Sequence, residues 1–371
     1  MKIIYTLASL GSGGAERVVS LLANQMNAQG HQIEIICLKY DDVYYQTDEG
    51  VKVVLAEHLG KSIPELKWLR KHVREEKPDV VIAFTEGVYC FTIAALLGTK
   101  IPVIASERLD PSAMTWKRNL LKRFLLPYAN WLVVQTKAIK EYFPKSIQKK
   151  TSIIFNPVKD EALASSMDNG QWKMDDKENR IISVARLFPQ KNQEMMIRAF
   201  AKIADKFPDW KLVIYGEGPL RKSLELTIDG LQLRGRVLLP GRTEHVIDEL
   251  RKSKIFCLSS DYEGMSNSMI EAICVGLPIV TTDVSGSEEL VNDGKNGYVV
   301  PRGDVRMLSE ALMKLMSDEA LLAAFSKHNM KSRDLFRIDS IVGEWERIIM
   351  QVVMKNDVER TKKCPIDMIV Q

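Results

Sequence analysis

A chain of 371 residues, 46% hydrophobic and 27% charged, is long enough for two ordinary domains. Its composition excludes extended disorder, a collagen-like fibre and a disulfide scaffold. The 52 Lys and Arg against 48 Asp and Glu leave a formal charge of only +4, too small a total to mark a nucleic-acid binder.

Residues 1–10 read as a first strand and not a signal peptide, because Gly-Ser-Gly-Gly-Ala-Glu-Arg follows in place of a small-residue cleavage site. Short β-branched runs then recur at residues 32–38, 51–55, 79–84, 101–105, 131–135 and 152–155, with helix-length segments between them. Runs without polar alternation fit strands of a parallel sheet covered by helices on both faces. Residues 160–180 lose this rhythm, turn polar and read as a linker. A second series follows at 180–184, 211–215, 236–239, 255–258, 278–282 and 297–300. The segment 340–355 spaces Ile341, Trp345, Ile348, Ile349 and Val352 as one buried helical face.

The expected fold is α/β, with two doubly wound Rossmann-like domains facing across a cleft. The first domain is placed at 1–165, joined by 345–371 through a C-terminal helix that packs back on it. The second is placed at 166–344. The five cysteines include no Cys-x-x-Cys pair and point to a reducing compartment. No apolar run approaches the ~20 residues of a bilayer span, so any membrane contact is expected to be peripheral.

Three segments at expected strand ends carry chemistry. Gly11-Ser12-Gly13-Gly14-Ala15-Glu16 opens a helix, where backbone amides and the helix dipole suit a phosphate; the alternative is a tight turn with no ligand. Glu16 occupies the third glycine position of the dinucleotide fingerprint, which disfavours a nicotinamide site. Arg186 and Lys191 flank a Pro-containing loop and suit a diphosphate, unless they are two solvated surface cations. Glu263 lies in a loop and Glu271 in the following helix, so two carboxylates are available to vicinal hydroxyls, with a surface Glu and a capping Glu as the plainer alternative.

In this order these segments resemble the retaining GT-B glycosyltransferases of family 4, the glycosyl transferases group 1. The resemblance rests on Glu263-x7-Glu271, Arg186-x4-Lys191, the Gly13-Gly14 loop, the turn Gly216-Glu217-Gly218-Pro219 and Gly276-Leu277-Pro278-Ile279-Val280. It covers nearly the whole chain and is densest from Arg180 to Pro301. It implies that Arg186 and Lys191 hold the donor diphosphate and Glu271 the nucleotide ribose. Glu263, with the backbone of Gly264, Met265, Ser266 and Asn267, would hold the donor sugar. Gly13, Gly14 and Glu16 would close on the phosphates, while Gly216, Gly218 and Arg242 would lie in base-contacting loops. Many members carry a His at the end of the fifth strand; here Arg108 stands where that His would be, and for Glu107 with Arg108 an ion pair between the two is one reading and a catalytic role the other.

The implied activity is that of a hexosyl- or N-acetylhexosaminyltransferase, retaining and metal-independent; the sequence contains no Asp-x-Asp. The expected donor is a UDP-sugar, which is a substrate, so no cofactor is expected. The expected acceptor is a polyprenyl-diphosphate-linked glycan of cell-surface polysaccharide synthesis, such as a capsule. A GT-B-shaped nucleotide-sugar epimerase and a nicotinamide oxidoreductase are the competing readings.

Charge is uneven. Residues 100–150 hold eleven Lys and Arg against three acids, a local +8 that leaves −4 elsewhere. Within that window Trp116, Lys117, Arg118, Lys122 and Arg123 alternate with Leu and Phe, as in a helix lying on an anionic leaflet; a solvated helix packed on its own domain is the alternative. No nucleic-acid partner is expected, because the patch lacks an interleaved set of stacking aromatics. The expected location is peripheral, on the cytoplasmic face of the plasma membrane. The sequence implies no oligomeric state.

Overall fold

The computed structural model describes residues 1–11, 13–39, 43–56, 62–113, 115–163 and 177–362. The β-branched runs form two parallel sheets. The first contains β1 (Lys2–Leu7), β2 (Gln32–Cys37), β3 (Val51–Leu55), β4 (Val80–Phe84), β5 (Val103–Ser106), β6 (Trp131–Val134) and β7 (Thr151–Ile153), in the order β3-β2-β1-β4-β5-β6-β7. The second contains β8 (Arg180–Val184), β9 (Lys211–Tyr215), β10 (Val237–Gly241), β11 (Ile255–Leu258), β12 (Ile279–Thr282) and β13 (Gly297–Val300), in the order β10-β9-β8-β11-β12-β13. Both repeat the doubly wound order. Strand order therefore reverses between β1 and β4 in one sheet and between β8 and β11 in the other.

Small shifts from the expected strands have local causes. β5 begins after Pro102, which has no N–H for the ladder, although its carbonyl accepts from Val81 N at 3.0 Å. β10 extends through Pro240 because it is an edge strand and its pairing shifts register between Leu238 and Gly241.

The chain divides into residues 1–157 with 338–371, and residues 158–337. The first crossing falls earlier than the expected 165/166, because Ala162 and Leu163 of the helix Asp160–Leu163 are buried and Arg251 donates to Glu161 O at 2.6 Å within the second unit. The return falls earlier than 344/345, because Ile338, Ile341 and Val342 already belong to the first unit's core. Residues 164–176, within the expected linker, lie outside the described residues.

The helix Ile338–Lys362 buries Ile341, Trp345, Ile348, Ile349 and Val352 against β1, β4 and the helix Gly14–Ala28. Trp345 is fully buried and stacks on Phe84 with ring centroids 5.7 Å apart. This face closes one side of the first sheet and explains why the C-terminal segment returns to the N-terminal unit.

Candidate functional site

In the second unit the loops after β8 and β11 meet at the reversal of strand order, the place where doubly wound sheets leave a crevice. Leu187 is buried and pinned by Leu187 N to Glu217 O at 2.9 Å and Leu220 N to Leu187 O at 3.2 Å. That anchoring leaves the flanking Arg186 exposed. Its guanidinium stacks 5.0 Å from the centre of the Phe188 ring and makes no salt bridge among the described residues.

Lys191 lies at the end of a single 3-10 turn, Pro189–Lys191, before Asn192 caps the helix Gln193–Ala201. Asn192 holds a left-handed φ of 42°, a conformation that Asn tolerates, and its amide donates to Asp261 Oδ1 at 2.9 Å. Ser259 Oγ donates to the carbonyls of Lys191 and Asn192 at 3.1 and 2.8 Å, and Asp261 N donates to Gln190 O at 2.9 Å. These bonds lock the two loops together. As a result the Lys191 ammonium pairs directly with Glu263, whose same oxygen accepts from Ser260 Oγ at 2.8 Å. The Glu263 side chain is only 9% exposed.

Glu271 sits on the helix Asn267–Cys274, among Met269, Ile270, Ala272, Ile273 and Cys274, and is as buried as they are. Ser266 caps this helix by accepting from Met269 N. Gly264, Met265 and Ser266 are buried, and Asn267 is half-buried. Gly286 supports them: a Cβ there would stand 2.8 Å from Gly264 O and 3.2 Å from Met265 Cα. Arg186, Lys191, Glu263 and the helix bearing Glu271 thus share one strand-end region of one unit.

Gly216 and Gly218 follow β9. A Cβ on Gly216 would meet Ala185 O at 2.0 Å, and one on Gly218 would meet Leu187 O at 2.3 Å. Both glycines let this turn press against the Arg186 loop, so their first use is backbone packing. Between them, Glu217 takes two bonds from Arg221, at 2.9 and 2.7 Å, which together with the nearby Arg242 charge hold its carboxyl below the usual range. Arg242 itself is exposed.

In the first unit Gly13 caps the helix Gly14–Ala28. The Glu16 carboxylate folds back over it, 2.0 Å from where a Gly13 Cβ would be. A phosphate approaching these amides would meet that carboxylate, so Glu16 would have to swing aside. Gly14 is exposed.

Glu107 and Arg108 follow β5, and the reading of the two as an ion pair does not match the arrangement found. Glu107 is fully buried and pairs with Lys122 Nζ at 2.9 Å, not with the Arg108 side chain. It also accepts from Tyr89 Oη at 2.8 Å and from Arg108 N at 3.1 Å. Arg108 donates from Nη1 to Asn156 Oδ1 at 2.7 Å and lies over the rings of Phe84 and Trp345, 4.5 and 5.8 Å from their centres. Burial pulls its guanidinium down to about 9, which still leaves it cationic at neutral pH. Its Nε and Nη2 have no hydrogen-bond partner among the described residues.

Lys122 therefore corrects an expectation: it is 1% exposed and serves a buried ion pair, not a membrane surface. The rest of the helix Trp116–Leu125 does present an apolar face, with Leu120, Leu121 and Phe124 exposed beside Arg123. The side chains of Trp116, Lys117 and Arg118 lie outside the described residues.

Sequence reasoning missed Asn192, Ser260 and Gly286 around the second unit's site. It also missed Thr85, a β-branched residue held at φ 70° where β4 ends, beside the first unit's strand-order reversal. Such strain costs on the order of 1–3 kcal/mol and concentrates at functional positions.

The glycosyl transferases group 1 model matches residues 166–332, and the glycosyltransferase family 4 model matches 12–162. A Campylobacter jejuni N-acetylgalactosamine-N,N'-diacetylbacillosaminyl-diphospho-undecaprenol 4-α-N-acetylgalactosaminyltransferase is 30% identical over 90% of this chain and 94% of its own. A second transferase of that organism, an α-1,4-N-acetyl-D-galactosaminyltransferase of a GalNAc-containing diphospho-undecaprenol, is 29% identical over 95% of this chain and 99% of its own. Among solved structures, Anabaena HepE in complex with UDP and glucose aligns with a TM-score of 0.81 at 17% identity, covering 94% of this chain and 99% of that one. The fold is that of the GT-B glycosyltransferases. The chain belongs to glycosyltransferase family 4, the glycosyl transferases of group 1.

Proposed function

We propose that this enzyme is a retaining, metal-independent transferase that moves a hexose or N-acetylhexosamine from a UDP-sugar to a polyprenyl-diphosphate-linked glycan. The observation that carries the reading is the joined β8–β11 strand-end site. There the exposed Arg186 fork shares the strand-end loop with Lys191, which is paired with Glu263, and the Glu271 helix begins after the neighbouring loop. Arg186 binds diphosphate oxygens with its planar fork and Lys191 adds a point charge, so the two stabilise the negative charge that develops on the departing nucleotide. Glu263 and Glu271 accept hydrogen bonds from sugar and ribose hydroxyls. Glu107 and Arg108 act on the first unit's side of the reaction, Glu107 by fixing the backbone at Arg108.

The C. jejuni relatives are named for diphospho-undecaprenol glycans, which supports a lipid-linked acceptor. No helix among the described residues is long and apolar enough to cross a membrane. The exposed Leu120, Leu121, Arg123 and Phe124 support peripheral contact with the cytoplasmic leaflet, where the acceptor would be met.

Isothermal titration tests the donor site. UDP binds the wild type, and Arg186→Ala weakens it by at least ~10-fold, the scale of losing charge-assisted hydrogen bonds. Binding of NAD with none of UDP would overturn the reading.

A further inference from the structure

A cationic depression lies at the opposite edge of the first sheet, where β4, β5 and β6 begin. Substrates of doubly wound sheets bind beyond the carboxyl ends of the strands, so this hollow lies apart from the transfer chemistry. Its larger part, about 570 Å³, is lined by Arg70, Arg74, Lys77 and Lys100 against a single acid, Asp79. That acid already accepts the backbone N–H of Lys2 at 2.7 Å. Arg74 and Lys77 have no ion-pair partner among the described residues.

The wall is built, not loose. Arg70 Nη1 donates to the carbonyls of Ala95 and Leu97 at 2.9 and 2.7 Å, and Asn356 of the C-terminal helix donates to Lys100 O at 2.9 Å. Lys150, just before β7, donates to the carbonyls of Leu126 and Pro127 at 3.1 and 2.9 Å, which holds the chain leading to Tyr128.

A second hollow of about 280 Å³ shares Gly98, Thr99, Lys100, Ile101 and Asn356 with the first, and its far wall is apolar. Leu97 and Tyr128 stand on it, 46% and 62% exposed. The segment Leu126–Tyr128 continues directly from the helix that exposes Leu120, Leu121 and Phe124. A basic hollow therefore opens onto an apolar shoulder. A soluble phosphate would use only the basic part. An amphiphile with an anionic head uses both.

We propose that this depression seats the headgroup of an anionic phospholipid, its phosphate among Arg70, Arg74, Lys77 and Lys100 and its acyl portion along Leu97 and Tyr128. The proposal deepens the membrane part of the functional reading but needs neither the donor site nor the transfer reaction. It makes docking specific to phospholipid charge, where an amphipathic helix alone would give general surface adhesion.

Co-sedimentation with vesicles of phosphatidylcholine and phosphatidylglycerol tests it. The variant Arg74→Gln/Lys77→Gln/Lys100→Gln loses about 100-fold in partitioning, because each near-surface cation contributes roughly fivefold. The variant Lys202→Gln/Lys206→Gln/Lys211→Gln removes the same charge from exposed positions of the second unit and loses less than ~3-fold, since those cations line neither hollow. Leu97→Ser/Tyr128→Ser weakens vesicle binding and leaves the weak binding of inorganic phosphate unchanged. UDP titration of each variant matches the wild type, which shows intact folding and separates this proposal from the donor-site reading. Equal losses in the two triple variants would overturn the proposal. So would inorganic phosphate binding as tightly as vesicles with no effect of Leu97→Ser/Tyr128→Ser.

Discussion

Lys191→Ala lowers kcat by at least ~100-fold, the scale of removing one preorganised group that stabilises charge at the leaving group. The loss has two separable parts. One is the missing cation at the diphosphate; the other is Glu263, buried and left with Ser260 as its remaining side-chain partner once its ammonium is gone. A second substitution separates them. In Lys191→Ala/Glu263→Gln the carboxamide carries no charge to strand, so any purely structural damage is relieved, yet turnover stays at least ~100-fold down because the diphosphate still lacks its cation. Recovery of near-normal kcat in the double variant would instead make Lys191 a support for Glu263 alone. Single-turnover measurements at saturating donor keep the comparison on the chemical step.

Lys122→Ala destabilises the first unit by about 3–5 kcal/mol, because it strands a buried carboxylate. Glu107 is fully buried, and its oxygens hold Lys122, Tyr89 and the N–H of Arg108 at once. Those partners belong to the helices Glu86–Leu96 and Trp116–Leu125 and to the loop after β5. The pair is thus the buried tie between the apolar-faced helix and Arg108. Denaturant unfolding measures the loss, and hydrogen exchange should place it in residues 86–125. Glu107→Gln/Lys122→Met removes both charges and recovers most of the stability, since an uncharged isostere of a buried pair is often neutral. A loss under ~1 kcal/mol for Lys122→Ala, the range of an exposed pair, would contradict the burial argument.

Lys122 also shows where sequence reading reaches its limit. Helical periodicity places it with Lys117 and Arg118 as one of several cations, but periodicity cannot see Glu107, fifteen positions upstream on another element. The same holds for Lys191 and Glu263, which are 72 residues apart: each is conspicuous by its spacing, but their pairing comes from the neighbouring places of β8 and β11 in the sheet. The strands were legible because burial on both faces writes itself as unbroken runs of Val and Ile. The buried face of the C-terminal helix was legible in the spacing of Ile341, Trp345 and Ile348, though the helix itself begins earlier, at Ile338. Ser260, Gly286 and Thr85 had no signal, because their importance lies in a bond, a close approach and a strained φ that exist only after folding.

Gly216 and Gly218 were read through family likeness as ligand-contacting. Their missing side chains first serve the protein's own backbone at Ala185 and Leu187. The two uses are compatible, because a turn pressed against the Arg186 loop also fixes where that arginine emerges.

The central claim is transfer from a UDP-sugar with retention at the anomeric carbon. The most direct test is transfer from UDP-N-acetylgalactosamine, UDP-N-acetylglucosamine, UDP-galactose and UDP-glucose to a short-chain polyprenyl-diphosphate-linked glycan, in a chelator, with the new linkage assigned by NMR. The account predicts turnover with at least one donor, undiminished by the chelator, and an α-linked product. No transfer from any of the four, or a β-linked product, would contradict it.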